Sequence, residues 1–98
     1  MSVELTIEVA SVQAADTVQH ALKSYQTRLK AGIARTRRRL EEFEKRYAVS
    51  TEQFLAEWAA EDLAGGDMEY VEWAGEAKLL AGLERELDEL ENARIQLQ

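Results

Sequence analysis

Apolar and polar positions along this 98-residue chain follow four patterns, each predicting a different element. Between Gly65 and Ile95, Leu80, Leu83, Leu87 and Leu90 recur at alternating spacings of three and four, and Trp73 and Ala77 extend the stripe upstream. That spacing places them on one helical face. Tyr70 and Val71 stand on its shoulders, Gly65-Gly66 breaks what precedes, and Asp67 is placed to cap the new amide donors. A second stripe runs through Val18, Leu22, Tyr25, Leu29, Ile33, Leu40, Phe43 and Tyr47, with Thr36 filling one step. Its repeats (18, 29, 40 and 25, 36, 47) follow an eleven-residue period, which predicts a rather straight helix. Over about 30 residues such a helix is roughly 45–50 Å long. Gly32 costs it about 1 kcal/mol relative to Ala and marks either a close crossing or a bend.

The other two patterns are shorter. Val3, Leu5, Ile7 and Val9 alternate with Glu4, Thr6 and Glu8, as in a half-buried strand. A lone strand needs a partner. Three are available: its copy in a dimer, the C-terminal Ile95-Gln96-Leu97, or a strand of another protein. The plain alternative is a frayed N-terminal tail. Ser50-Thr51-Glu52-Gln53 is a capping box that opens a short helix with Phe54, Leu55, Trp58 and Ala59 inward. Asp16 with Gln19 is a capping box for the first long helix, and Ser11 offers an earlier start.

These elements predict a mainly α fold in one domain over 1–98. A strand or arm at 1–10 is followed by a long helix at 14–47, a short corner helix at 51–63 and a long acidic helix at 67–94. The two long helices are expected to form an antiparallel hairpin. Apolar residues make up 46% of the chain, but fifteen of them are alanine, which leaves about thirty sizeable side chains. That is modest for a monomer of this length, so self-association or a different partner is expected to complete the core.

Charge changes the picture more than composition does. His20–Tyr47 carries nine Lys/Arg against three Glu, net +6, whereas 48–98 carries three against thirteen Asp/Glu, net −10. The cluster Arg35, Arg37, Arg38 and Arg39, with Lys23, Arg28 and Lys30, suits phosphate contacts. The competing reading is internal, with the basic helix laid along the acidic one so that each neutralises the other. A strand-first order also invites comparison with ribbon-helix-helix repressors, but Glu4 and Glu8 would then face phosphate with the wrong sign. Phe54, Trp58, Tyr70 and Trp73 cluster around the corner, either as core or as a docking patch whose acidic neighbours steer a basic protein.

Enzyme chemistry finds little to work with, and no catalytic role, cofactor or metal is expected. His20 is the one histidine, and cysteine is absent, which excludes disulfides and thiolate metal sites. Glu69, Glu72 and Glu76 fall on neighbouring turns, as in helical carboxylate metal sites, but the later half of the helix carries Arg85 and Asp88 where a second motif belongs. No apolar run approaches the roughly 18 residues of a membrane span. Met1–Gln19 lacks a basic n-region and an apolar h-region. A soluble cytoplasmic protein is expected.

Over about residues 41–95 the chain resembles a group of small bacterial and archaeal proteins. The shared features are Glu44–Tyr47, the capped Ser50–Phe54 helix start, the acidic Gly/Asp stretch Glu61–Asp67, the core Tyr70, Glu72, Trp73 and Ala74, and the Leu/Glu-rich Leu79–Leu90. Such proteins are often encoded beside a small toxin of the TumE type and are regarded as antitoxins of type II toxin–antitoxin pairs. The resemblance implies a helical, dimeric protein that neutralises a small basic, ribonuclease-like toxin. An acidic, aromatic-bearing surface would occlude it, with Glu69, Glu72 and Glu76 opposing the toxin's cationic groove. Two alternatives stand beside it: a stand-alone homodimeric structural or adaptor protein, and a DNA-binding autorepressor acting through the N-terminal strand or Arg35–Arg39.

Overall fold

The computed structural model describes residues 3–58 and 68–97. The fold is mainly helical, with a short N-terminal strand and two long helices. Strand β1 (Leu5–Ile7) leads into α1 (Val12–Tyr47). A short α2 (Thr51–Gln53) continues as a π-helical turn (Phe54–Trp58), and α3 (Met68–Glu91) is followed by β2 (Ile95–Leu97). The expected breakers Gly65-Gly66, the Asp67 cap, inward Ala59 and the end of the short helix lie outside the described residues.

Helix α1 starts earlier than 14 because Ser11 takes the capping role. Its Oγ accepts from Ala14 N at 3.0 Å while its carbonyl accepts from Ala15 N at 3.1 Å. The Asp16–Gln19 pair therefore falls inside the helix. At the other end Ala48 adopts a left-handed conformation (φ 54°), and its N–H donates to the Glu44 carbonyl. Ser50 caps α2 by accepting from Gln53 N at 3.1 Å. The return half of the expected capping box is replaced. Glu44 Oε2 accepts from Thr51 N at 2.7 Å, and the Gln53 amide turns outward to Glu57 at 3.2 Å. The wide turn that follows puts Phe54 inside and Trp58 half inside but leaves Leu55, expected inward, 44% exposed.

Helix α3 ends at Glu91, short of 94. Asn92 stops it, its side-chain amide donating to the Asp88 carbonyl at 2.9 Å. The chain is then free to extend as β2, which pairs in parallel with β1 in the register Leu5↔Ile95, Thr6↔Gln96, Ile7↔Leu97. Of the three partners open to the N-terminal strand, the C-terminal one is used.

The molecule is elongated, 56 × 28 × 19 Å with a radius of gyration of 18.9 Å, against about 13 Å for a compact 100-residue domain. Leu40, Phe43, Val49, Phe54 and Trp73 form its core cluster at the corner end, with Leu29, Ile33 and Thr36 buried further along α1. Thr36 satisfies its hydroxyl on the Gly32 carbonyl at 2.8 Å. Gly32 marks a close approach: a Cβ there would stand 3.3 Å from Leu83 Cδ1.

Candidate functional site

Trp73 organises the corner. It stacks on Phe54 with centroids 3.9 Å apart and planes 1° from parallel, and on Phe43 at 5.4 Å. Its indole N–H donates to Thr51 Oγ1 at 3.0 Å, so the buried donor is satisfied. Both Trp73 and Phe54 are 0% exposed. Neither can anchor a partner, because each already fills the space between α1, α2 and α3. This corrects their place in the docking patch. Trp58 and Tyr70 are half-buried and keep an outward edge, Trp58 lying against Tyr47 at 6.3 Å and Tyr70 at 6.0 Å.

Opposite charges meet across the helix pair. Arg39 bonds Glu72 and Glu42, and Arg46 and Tyr47 both bond Glu69. Arg37 reaches Glu84 at 3.1 Å, and Tyr25 donates to Glu86 at 2.6 Å. Glu86, by accepting that bond, raises the Tyr25 phenol above its ordinary pKa; the Glu72 bond likewise raises Arg39. Arg39 also lies over the Phe43 ring at 4.6 Å. The arginine cluster is thus split. Arg37 and Arg39 are bound to α3 carboxylates, whereas Arg35 and Arg38 are exposed and pair with no carboxylate among the described residues. Glu69 and Glu72 have internal partners as well, and Glu76 is half-buried.

These bonds leave the two flanks of the helix pair unlike. One flank is tied by Tyr25–Glu86, Arg39–Glu72, Arg46–Glu69 and Tyr47–Glu69. The other is crossed by Arg37–Glu84 alone among the described bonds, and three grooves follow one another along it. The largest, about 710 Å³, has Leu40, Leu55, Ala77 and Leu80 in its lining. It meets the second, about 380 Å³, at Arg37 and Glu84; the second meets the third, about 340 Å³, at Glu91. Sequence periodicity located this stripe without showing that one side of it stays open.

Among the described residues no group of three His, Cys, Asp or Glu is arranged to hold a metal ion, and no helix is long and apolar enough to cross a membrane. No protein-family model, curated protein or solved structure matches the chain.

Proposed function

We propose that this chain is a dimeric helical-hairpin protein that binds and neutralises a small basic protein, as in the antitoxin group it resembles. One observation carries the reading. The eight carboxylates of α3 outnumber its own two cations, Lys78 and Arg85, and the three α1 arginines that reach across to it. Internal pairing therefore does not use up the acidic surface. The surplus favours a cationic partner by steering its approach and opposing its charge. Apolar contact is available beside it on Met68, 77% exposed, and Leu79.

The binding test follows from the ion pairs. Reversing Glu69 and Glu72 to Lys would set like charges against Arg46 and Arg39 and damage the fold as well as the surface. The triple variant Glu69→Gln, Glu72→Gln, Glu76→Gln keeps side-chain length and one acceptor oxygen at each position while removing three charges. We expect it to retain the helical circular dichroism of the wild type. Its affinity for the basic protein encoded alongside should fall at least about tenfold, with the wild-type affinity declining steeply as salt rises. Unchanged affinity would dismiss Glu69, Glu72 and Glu76 as the face that opposes the partner, and failure of the wild type to form a stoichiometric complex would dismiss the antitoxin reading.

The autorepressor reading is weaker on both of its supports. β1 already has β2 as its partner, and two of the four arginines are committed to α3.

A further inference from the structure

We propose that the open flank of the helix pair seats a second copy of this chain, in a four-helix arrangement with the copies face to face. The two-fold axis runs across the helices, so the corner end of each copy lies over the terminal end of the other. The inference rests on the dimeric reading above and adds the surface and its orientation.

Three observations lead there. First, the grooves on this flank are continuous, running from Leu55 at the corner to Leu90 and Ile95 at the termini. Leu22, Leu80, Leu87 and Leu90 line them and are only half-buried. Two helices and one short corner element cannot cover both sides of an apolar stripe; a second pair can.

Second, the size fits. Gln19 to Glu44, the span of α1 that lines the grooves, is about 38 Å long, and a helix pair is about 20 Å across. The resulting face, about 750 Å², is close to the roughly 800 Å² that each partner of a stable complex buries.

Third, charge chooses the orientation. On the α1 rim Lys23 and Lys30 stand at the terminal end, while Glu41 and Glu44 stand at the corner end beside Glu52. Asp88 and Glu91 line the opposite rim at the lysine end, so that end is balanced while the corner end is acidic. A two-fold running along the helices would stack the acidic corners on each other. The two-fold running across them lays Glu41 over Lys23 of the partner subunit, twice by symmetry.

Zero-length carbodiimide cross-linking of mixed light and heavy isotope-labelled protein, read by mass spectrometry, tests this on the unaltered chain. Mixed-isotope links from Lys23 or Lys30 to Glu41 or Glu44 are expected. Within one copy Lys23 and Glu41 are about 27 Å apart along α1, beyond the reach of a direct amide bond. Mixed links from Lys78 to Glu41 or Glu52 would join corner to corner and overturn the orientation. Sedimentation separates the remaining failures. A wild type that stays at the 11.1 kDa monomer mass at high micromolar concentration overturns the dimeric reading and the surface together. Ala34→Arg and Ala81→Arg, at exposed positions on the two rims, should weaken self-association at least about tenfold with helicity retained. Ala21→Arg, at an exposed position one turn before Tyr25 on the tied flank, should leave it unchanged. A dimer that ignores both rim substitutions overturns the surface alone.

Discussion

The two ends of the helix pair draw on the same continuous stripes yet are finished differently. At the corner, α2 adds a third element, and Phe43, Phe54 and Trp73 stack with no exposure beyond 1%. At the termini only a two-stranded pair is added. Leu22, Leu87 and Leu90 stay half-buried there, and Tyr25, in the same stripe, is 40% exposed. The difference is one of layers. Two helices exclude water from the line where they touch, and a third element is needed to exclude it from one side. Burial follows the geometry of covering more closely than it follows the hydrophobicity of the stripe.

The largest expected effect breaks the comparison most directly. Trp73→Ala should destabilise by about 3–5 kcal/mol, because it removes a fully buried ring from between two others and strands the Thr51 acceptor. Leu87→Ala, at a half-buried site of the terminal end, should cost about 1–2 kcal/mol at dilutions that keep the chain monomeric. Urea unfolding of the two variants beside the wild type measures both. Equal losses in the monomer would mean that the terminal end is as closed as the corner; at concentrations where the copies associate, the Leu87 loss should grow, because the proposed second copy covers that groove.

Leu83→Asp comes next. Leu83 faces Gly32 across the helix pair, and an unpaired carboxylate in that contact should cost about 2–3 kcal/mol. A cooperative transition unchanged from wild type would refute the placement of Leu83 on the inner face.

Much of this was readable in the residues. The apolar stripe of α1 named Leu29, Ile33, Thr36, Leu40 and Phe43, which are its buried residues, together with Val18, Leu22 and Tyr47, which are half-buried, and Tyr25, which is exposed. Internal neutralisation was also foreseeable, since a +6 helix and a −10 half within one short chain can meet as Arg37–Glu84 and Arg39–Glu72 do. The fate of the aromatics was not. Phe54 and Trp73 sit among acidic and small residues that suit a docking patch as well as a core. Only the position of α2 against α1 and α3 decides between them. The caps show the same limit at short range. Ser11 and Asp16 both satisfy the rule for a helix start, and the earlier residue wins because each further turn adds backbone hydrogen bonds. The unlike flanks depend on which carboxylates meet which arginines, a pairing that spacing alone leaves open.

The smallest expected effect is the finest gauge of how closely the helices approach in the terminal half. Gly75 in α3 has nothing within 4 Å of an added Cβ, so Gly75→Ala should return the full helix-propensity gain, about 1 kcal/mol. Gly32→Ala gains the same propensity but pushes a Cβ to 3.3 Å from Leu83 Cδ1. Leu83 is half-buried and its contact atom is the end of a flexible side chain, so a shift of a few tenths of an ångström relieves most of the overlap. We expect Gly32→Ala to stabilise by less than Gly75→Ala, by about 0.5 kcal/mol. Thermal melts of the two single variants decide the matter. Equal gains would show that Leu83 moves freely and that the terminal half is loosely apposed. A net loss at Gly32 alone would show that Leu83 is packed too tightly to shift and that the two helices are in firm contact at this crossing.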